Sequence, residues 1–271
     1  MRRVAAALCA VLLAGCAADA AAGTAAGGSG ERAGVAGPLR NLTSSLAPLH
    51  RGVLDFEVVS SPGLDGGGRE VGYRLSGPFS DPPPGQRLPV LRLTVETLGG
   101  ADAATTIVSS GQRAWIESGG SRQPLTAAQT AQLAAGVEPG GDLTGLGQLG
   151  VAGWARAPGT VSHATIGGAP VEEVTAPVDP VAALNGIESL LYTTSGVKGR
   201  PIPADSGAAA ALRRATRTAD VVVAAGSADH LLRLLQLRMT FAAPAGDQLR
   251  SALGPVAGLR FSLVVQIGSP G

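Results

Sequence analysis

The chain has 271 residues, a net charge of +1 and 45% hydrophobic residues, of which few are aromatic. The near-neutral balance argues against a nucleic-acid partner held by a basic surface. The length suits one large domain or two small ones. Its two cysteines, Cys9 and Cys16, both lie near the start, so no disulfide framework stabilises the rest. Any core must be built mainly from Leu, Val, Ile and Ala.

The first residues read as a secretory signal. Met1-Arg2-Arg3 is a positive n-region, and residues 4–13 form an apolar stretch. That stretch is shorter than the roughly 20 residues needed to span a bilayer. Leu13-Ala14-Gly15-Cys16 then resembles the bacterial lipobox. The resemblance implies that residues 1–15 are removed and that Cys16 carries a diacylglyceryl group. It places the remainder on the outer face of a cell membrane. Two acyl chains hold a protein there firmly, at about 0.8 kcal/mol per buried methylene. Residues 16–37 are Ala, Gly, Ser and Thr with little else, and lack any apolar stripe. Such a segment cannot offset its ordering entropy and reads as a flexible tether. Residues 38–271 then read as a single folded domain.

A first helix is expected after Pro38, with Leu39, Leu42, Leu46 and Leu49 on one face. The period then changes to two. Leu54, Phe56 and Val58 recur at alternate positions, and Ser61-Pro62-Gly63 and Gly66-Gly67-Gly68 mark a turn. Val71, Tyr73 and Leu75 alternate again, and so do Leu91, Leu93 and Val95 after the Pro82–Gly85 loop. Further strands are expected at residues 105–109 and 112–117. Strands at this spacing read as an antiparallel meander with one solvated face.

A helical section follows. Thr126 and Gln129 have capping-box spacing and open a helix to about Ala135. Leu143, Leu146, Leu149 and Trp154 suggest a second, Gly-interrupted helical stretch. Strands return at residues 161–166 and 171–177, joined by a Gly167-Gly168 turn. Asp179-Pro180 is an N-cap followed by proline at the first helical position. That helix carries Val181, Leu184, Ile187 and Leu191 on one stripe. Pro201-Ile202-Pro203 breaks the chain, and Ser206 caps an Ala-rich helix expected to end near Arg217. The last third has a short strand at residues 220–224. Next comes an alternating strand with Leu231, Arg233, Leu235, Leu237, Met239 and Phe241 on one face. The last strand places Leu259, Phe261, Leu263, Val265 and Ile267 on its inward face.

No catalytic set stands out. His50, His163 and His230 are far apart in sequence and lack metal-ligand spacing. There is no Gly-x-Ser-x-Gly elbow. Glu172 and Glu173 are neighbours on one strand and so point to opposite faces. Gly66-Gly67-Gly68 lacks the lysine and the strand-to-helix context of a phosphate loop. Arg213, Arg214 and Arg217 read as a basic helix end, either a solvated face or a contact for lipid head groups. The sequence therefore gives no reason to expect an enzyme, a metal or another cofactor.

Lipobox, tether, helix, meander, helices, hairpin, helix pair and final strands occur in the order seen in the mycobacterial-type LppX/LprG lipoproteins of actinobacteria, and the chain resembles that family over about residues 39–267. Leu75-Ser76-Gly77-Pro78-Phe79 with Leu88-Pro89, the Ser110–Ile116 stretch, and Arg213 to Arg233 are similar to its recurring segments. The charge-poor stretch at residues 140–153 departs from it. The resemblance implies an α+β fold, a curved antiparallel half-barrel of LolA-like form wrapped over several helices. It also implies an apolar gap that holds lipid acyl chains, and a part in moving lipids through the envelope with any transporter partner unidentified. The gap would be lined by Leu184, Ile187 and Leu191 from a helix. The two final strands would add Leu235, Leu237, Met239, Phe241, Phe261, Leu263 and Val265. The alternative is a non-catalytic envelope module that docks a partner protein through an exposed apolar patch.

Overall fold

Apolar residues at every second position, separated by Gly- and Pro-rich turns, assemble among the described residues into one open antiparallel sheet of eleven strands. The computed structural model describes residues 37–61, 70–100, 103–135, 150–195, 201–242 and 260–268. The strands are β1 (Arg51–Ser61), β2 (Val71–Ser80), β3 (Val90–Leu98), β4 (Thr105–Ser110), β5 (Ala114–Ser118) and β6 (Ser121–Pro124), then β7 (Thr160–Ile166), β8 (Ala169–Pro177), β9 (Thr216–Gly226), β10 (Leu232–Phe241) and β11 (Arg260–Gly268). The helices are α1 (Gly37–Ser44), α2 (Ala127–Ala135), α3 (Pro180–Ser195) and α4 (Gly207–Ala215), with a 3₁₀ turn at Val151–Trp154. The fold is α+β, a curved half-barrel sheet with a few helices.

The strand order is β6-β5-β4-β3-β2-β1-β11-β10-β9-β8-β7. Two meanders, β1 to β6 and β7 to β11, are thus joined by pairing of the first strand with the last. The seam runs in unbroken register from Val53 opposite Gly268 to Ser61 opposite Arg260. Alternation places one face inward. In β11, Phe261, Leu263, Val265 and Ile267 are all buried, while Arg260 and Gln266 are exposed.

Local signals explain most boundaries. The Thr126 backbone N–H donates to Gln129 Oε1 at 2.9 Å, and the Gln129 N–H donates back to Thr126 Oγ1 at 3.3 Å, a reciprocal capping box for α2. Gly167 and Gly168 have φ of 57° and 81°, the two positive values of a type I′ hairpin. At Gly77, whose φ is 145°, an added Cβ would lie 2.0 Å from the Arg92 carbonyl oxygen of the adjoining strand. Only glycine lets β2 and β3 approach there.

Five features differ from expectation. First, α1 stops at Ser44 rather than carrying Leu46 and Leu49. The Ser44 and Ser45 hydroxyls donate back to the Asn41 and Leu42 carbonyls, and Pro48 disfavours helix at Ala47. Leu49 is nonetheless buried, delivered by irregular chain. Second, α4 ends at Ala215, and β9 begins directly after it at Thr216, four residues ahead of the expected start at residue 220. The Thr216 hydroxyl donates to the Leu212 carbonyl at 2.7 Å and closes the helix, so Arg217 lies in a strand and not at a helix end.

Third, the pairing of β10 with β9 contains a bulge between Leu232 and Leu234, which shifts the phase. Leu232, not Leu231, is therefore the buried residue at its start. Fourth, β6 is a strand that the sequence pattern does not predict, because Ser121-Arg122-Gln123-Pro124 is exposed at every position and carries no apolar period. Fifth, the helical stretch expected through Trp154 is, among the described residues, a single 3₁₀ turn. Leu143, Leu146 and Leu149 lie outside the described residues, as do the signal, Cys16, the tether up to residue 36, the Gly66–Gly68 turn and Leu259.

Candidate functional site

The inner face of the sheet is the largest feature that the sequence pattern builds. Its register gives a continuous row with one residue per strand: Val174, Val223, Leu235, Val265, Phe56, Leu75 and Val95, from β8 across the seam to β3. All seven are buried. A second row runs through Ala176, Val221, Leu237 and Leu263. Met239 lies opposite Phe261, and Phe241 ends β10. Seven of the ten expected lining residues, Leu235, Leu237, Met239, Phe241, Phe261, Leu263 and Val265, therefore belong to one buried apolar surface.

Of the three expected helical residues, Ile187 is buried in the same core and Leu184 packs against it half-buried. Leu191 lies within α3, but its side chain is outside the described ones. Three of the helices, α1, α3 and α4, gather at one end of the sheet. α1 approaches β8 and β9, α4 approaches β9, and α3 packs on α4 and on the 3₁₀ turn.

A set of polar contacts fastens this end. Asp179 Oδ1 accepts from the N–H groups of Val181 and Ala182 at 2.8 and 3.1 Å, capping α3. Its Oδ2 accepts from Arg213 Nε at 2.7 Å, and Arg213 also donates to the Ala204 carbonyl at 2.8 Å. Burial pushes the Asp179 carboxyl up, but the Arg213 guanidinium and the two backbone N–H groups outweigh it, so its pKa is lowered. Asn185 pairs reciprocally with the Ile202 backbone at 2.9 and 2.8 Å, tying α3 to the Pro201–Pro203 segment. The Trp154 ring lies against Gly186, where a Cβ would approach within 2.7 Å of Nε1. Arg213, expected in a basic helix end, is thus a tie between two helices.

Among the described residues, the remaining titratable groups do not converge. His50 Nδ1 pairs with Asp81 at 2.7 Å at the edge of β1 and β2. His163 is exposed on β7, and His230 sits in the β9–β10 turn with φ 53°. Glu172 and Glu173 face opposite sides, across from His163 and Ser162 respectively. No group of three His, Cys, Asp or Glu side chains that could hold a metal occurs among the described residues. On the outer face, Arg74 grips Asp55 through two bonds of 2.9 and 2.7 Å. Arg92 and Arg122 both pair with Glu117, and Arg122 lies 4.3 Å from the centre of the Trp115 ring. The Glu117 carboxyl is held below its usual range, first by the Trp115 indole N–H and then by Arg122.

No protein-family model matches the chain, and no curated protein matches it. Among solved structures, it is similar to LprF from Mycobacterium bovis, at 12% identity and a TM-score of 0.42, over 86% of this chain and 92% of that one. It is also similar to a putative outer membrane lipoprotein-sorting protein domain from Vibrio parahaemolyticus, at 7% identity and a TM-score of 0.21, over 87% and 93%.

Proposed function

We propose that the chain is a membrane-anchored envelope lipoprotein, tethered through Cys16, that holds the acyl chains of a lipid between its sheet and its helices. The observation that carries this reading is the unbroken apolar row from Val174 to Val95. At a strand spacing of about 4.8 Å it is roughly 29 Å long. That is close to the whole hydrocarbon thickness of a bilayer, about 30 Å, so the row exceeds the length of one leaflet's chains. Each ligand methylene buried there would gain about 0.8 kcal/mol, without polar recognition. The lipobox resemblance at Cys16 supports this reading, because a lipid anchor would keep such a carrier beside a membrane.

Leu263 lies in this surface, opposite Leu237 and Val58. Leu263→Trp is expected to lower lipid uptake while costing less than about 1 kcal/mol in stability. In a closed core the same change costs about 1–3 kcal/mol by overpacking. The measurements are mass spectrometry of lipid extracted from protein purified without detergent, fluorescent fatty-acid binding, and urea unfolding of both forms. No extractable lipid, no binding and a strongly destabilised variant together reject the carrier.

A further inference from the structure

We propose that β7 is a pairing edge through which two copies of this chain join their sheets about a two-fold axis at His163. Thr160 to Thr165 are all exposed, Val161 by 48%, and only Ile166 is half-buried. One side of β7 is occupied by β8, in unbroken register from Thr160 opposite Thr175 to Ile166 opposite Ala169. Its other side is, among the described residues, the end of the sheet. Such an edge presents backbone N–H and C=O groups for pairing and is ordinarily blunted by charge, proline, a bulge or shortness. Thr-Val-Ser-His-Ala-Thr-Ile has no Lys, Arg, Asp, Glu or Pro, and its pairing has no bulge. The opposite edge, β6, has those devices: four residues, Arg122 and a terminal Pro124.

That asymmetry selects a closed pair. With one open edge and one blunted edge, pairing stops at two copies rather than running on into a fibre. The β7 sequence also suits a second copy of itself. Antiparallel pairing centred on His163 sets Val161 opposite Thr165 of the second copy and Ser162 opposite Ala164. These are β-branched and small cross-strand pairs with no like charges opposed. Each His163 also stands opposite Glu172 of its own chain, which leaves a carboxylate beside the two-fold axis. The inference does not depend on the lipid reading.

Residues directly opposed in an antiparallel pair have Cα atoms about 4.5 or 5.5 Å apart, both within the range for a disulfide. The test uses the full chain in whole cells of the bacterium expressing it, with the membrane and soluble fractions both assayed. His163→Cys is expected to give an oxidant-dependent two-chain species, several-fold above wild type and above Val71→Cys, an exposed control on β2. Ser162→Lys with Ala164→Lys, added to His163→Cys, sets like charges directly opposite and is expected to return the yield to the control level. All these side chains are exposed, so the variants are expected to keep the wild-type urea midpoint within about 0.5 kcal/mol. Cross-linking no stronger than the control, cross-linking unchanged by the two lysines, or a product whose mass contains a different protein would each overturn the proposal.

Discussion

Asp179 caps one helix and ties another, and its side chain is only 23% exposed. Asp179→Asn keeps an oxygen for the cap but loses the charge facing Arg213, so it is expected to cost about 1–2 kcal/mol at pH 7, allowing for solvent screening. The pH dependence has a definite sign. The folded pKa is lowered, so the contribution is complete above the unfolded value of about 3.9 and is lost as pH falls through the folded value. Urea midpoints measured from pH 7 down to pH 2 should therefore fall less steeply for the variant than for wild type. Gly186 is the second residue whose neighbour decides its identity. Gly186→Ala gains helix propensity of about 1 kcal/mol but drives a methyl into the Trp154 ring. Overpacking of about 1–3 kcal/mol is expected to win, with a changed tryptophan emission spectrum.

Among the elements, β11 and β6 form a natural contrast. β11 is paired on both sides, whereas β6 is an edge. Val264→Pro is expected to cost about 3 kcal/mol or more, because it removes a ladder donor from the strand joining the two meanders. Gln123→Pro in β6 also removes a donor, the N–H that faces Ile116 of β5, but is expected to cost less by the same urea measurement, because β6 is paired on one side only and exposed at every position. The same contrast explains what is legible in the sequence. Strands with one buried face, such as Phe261 to Ile267, announce themselves by period. Thr126 with Gln129, Asp179-Pro180 and Gly167-Gly168 are local chemistry and need no tertiary information. β6 is invisible because an exposed strand has no apolar period. The phase error at Leu231 comes from a bulge, which inserts one residue without a composition signal. Within the candidate site, the lining strands are readable from alternation. The Asp179–Arg213 tie spans 34 residues and is not encoded in any local pattern.

For the molecule as a whole, the described fold begins at α1, whose Leu39 and Leu42 are buried in the common core. A chain beginning at Pro38 is accordingly expected to melt within a few degrees of the chain that begins at residue 16, as read by thermal circular dichroism. A fall of more than about 8 °C would show that the tether packs, since 1 kcal/mol corresponds to about 2–4 °C at this size. The pairing of β1 with β11 is the part of the architecture least accessible from sequence, because it links strands at opposite ends of the folded chain through no shared local motif. It also sets the order in which strands find partners as the chain emerges N-terminus first. β1 to β6 come first and can zip into a meander by neighbour pairing alone. β1 then waits with one side open until residue 268 has emerged, and β10 waits likewise for its partner. Until then the emerging chain carries unsatisfied strand edges beside bare apolar faces, the combination that invites aggregation. A chaperone that shields those half-sheets until the last strand arrives would be needed most by the very topology that leaves the finished sheet without a central gap.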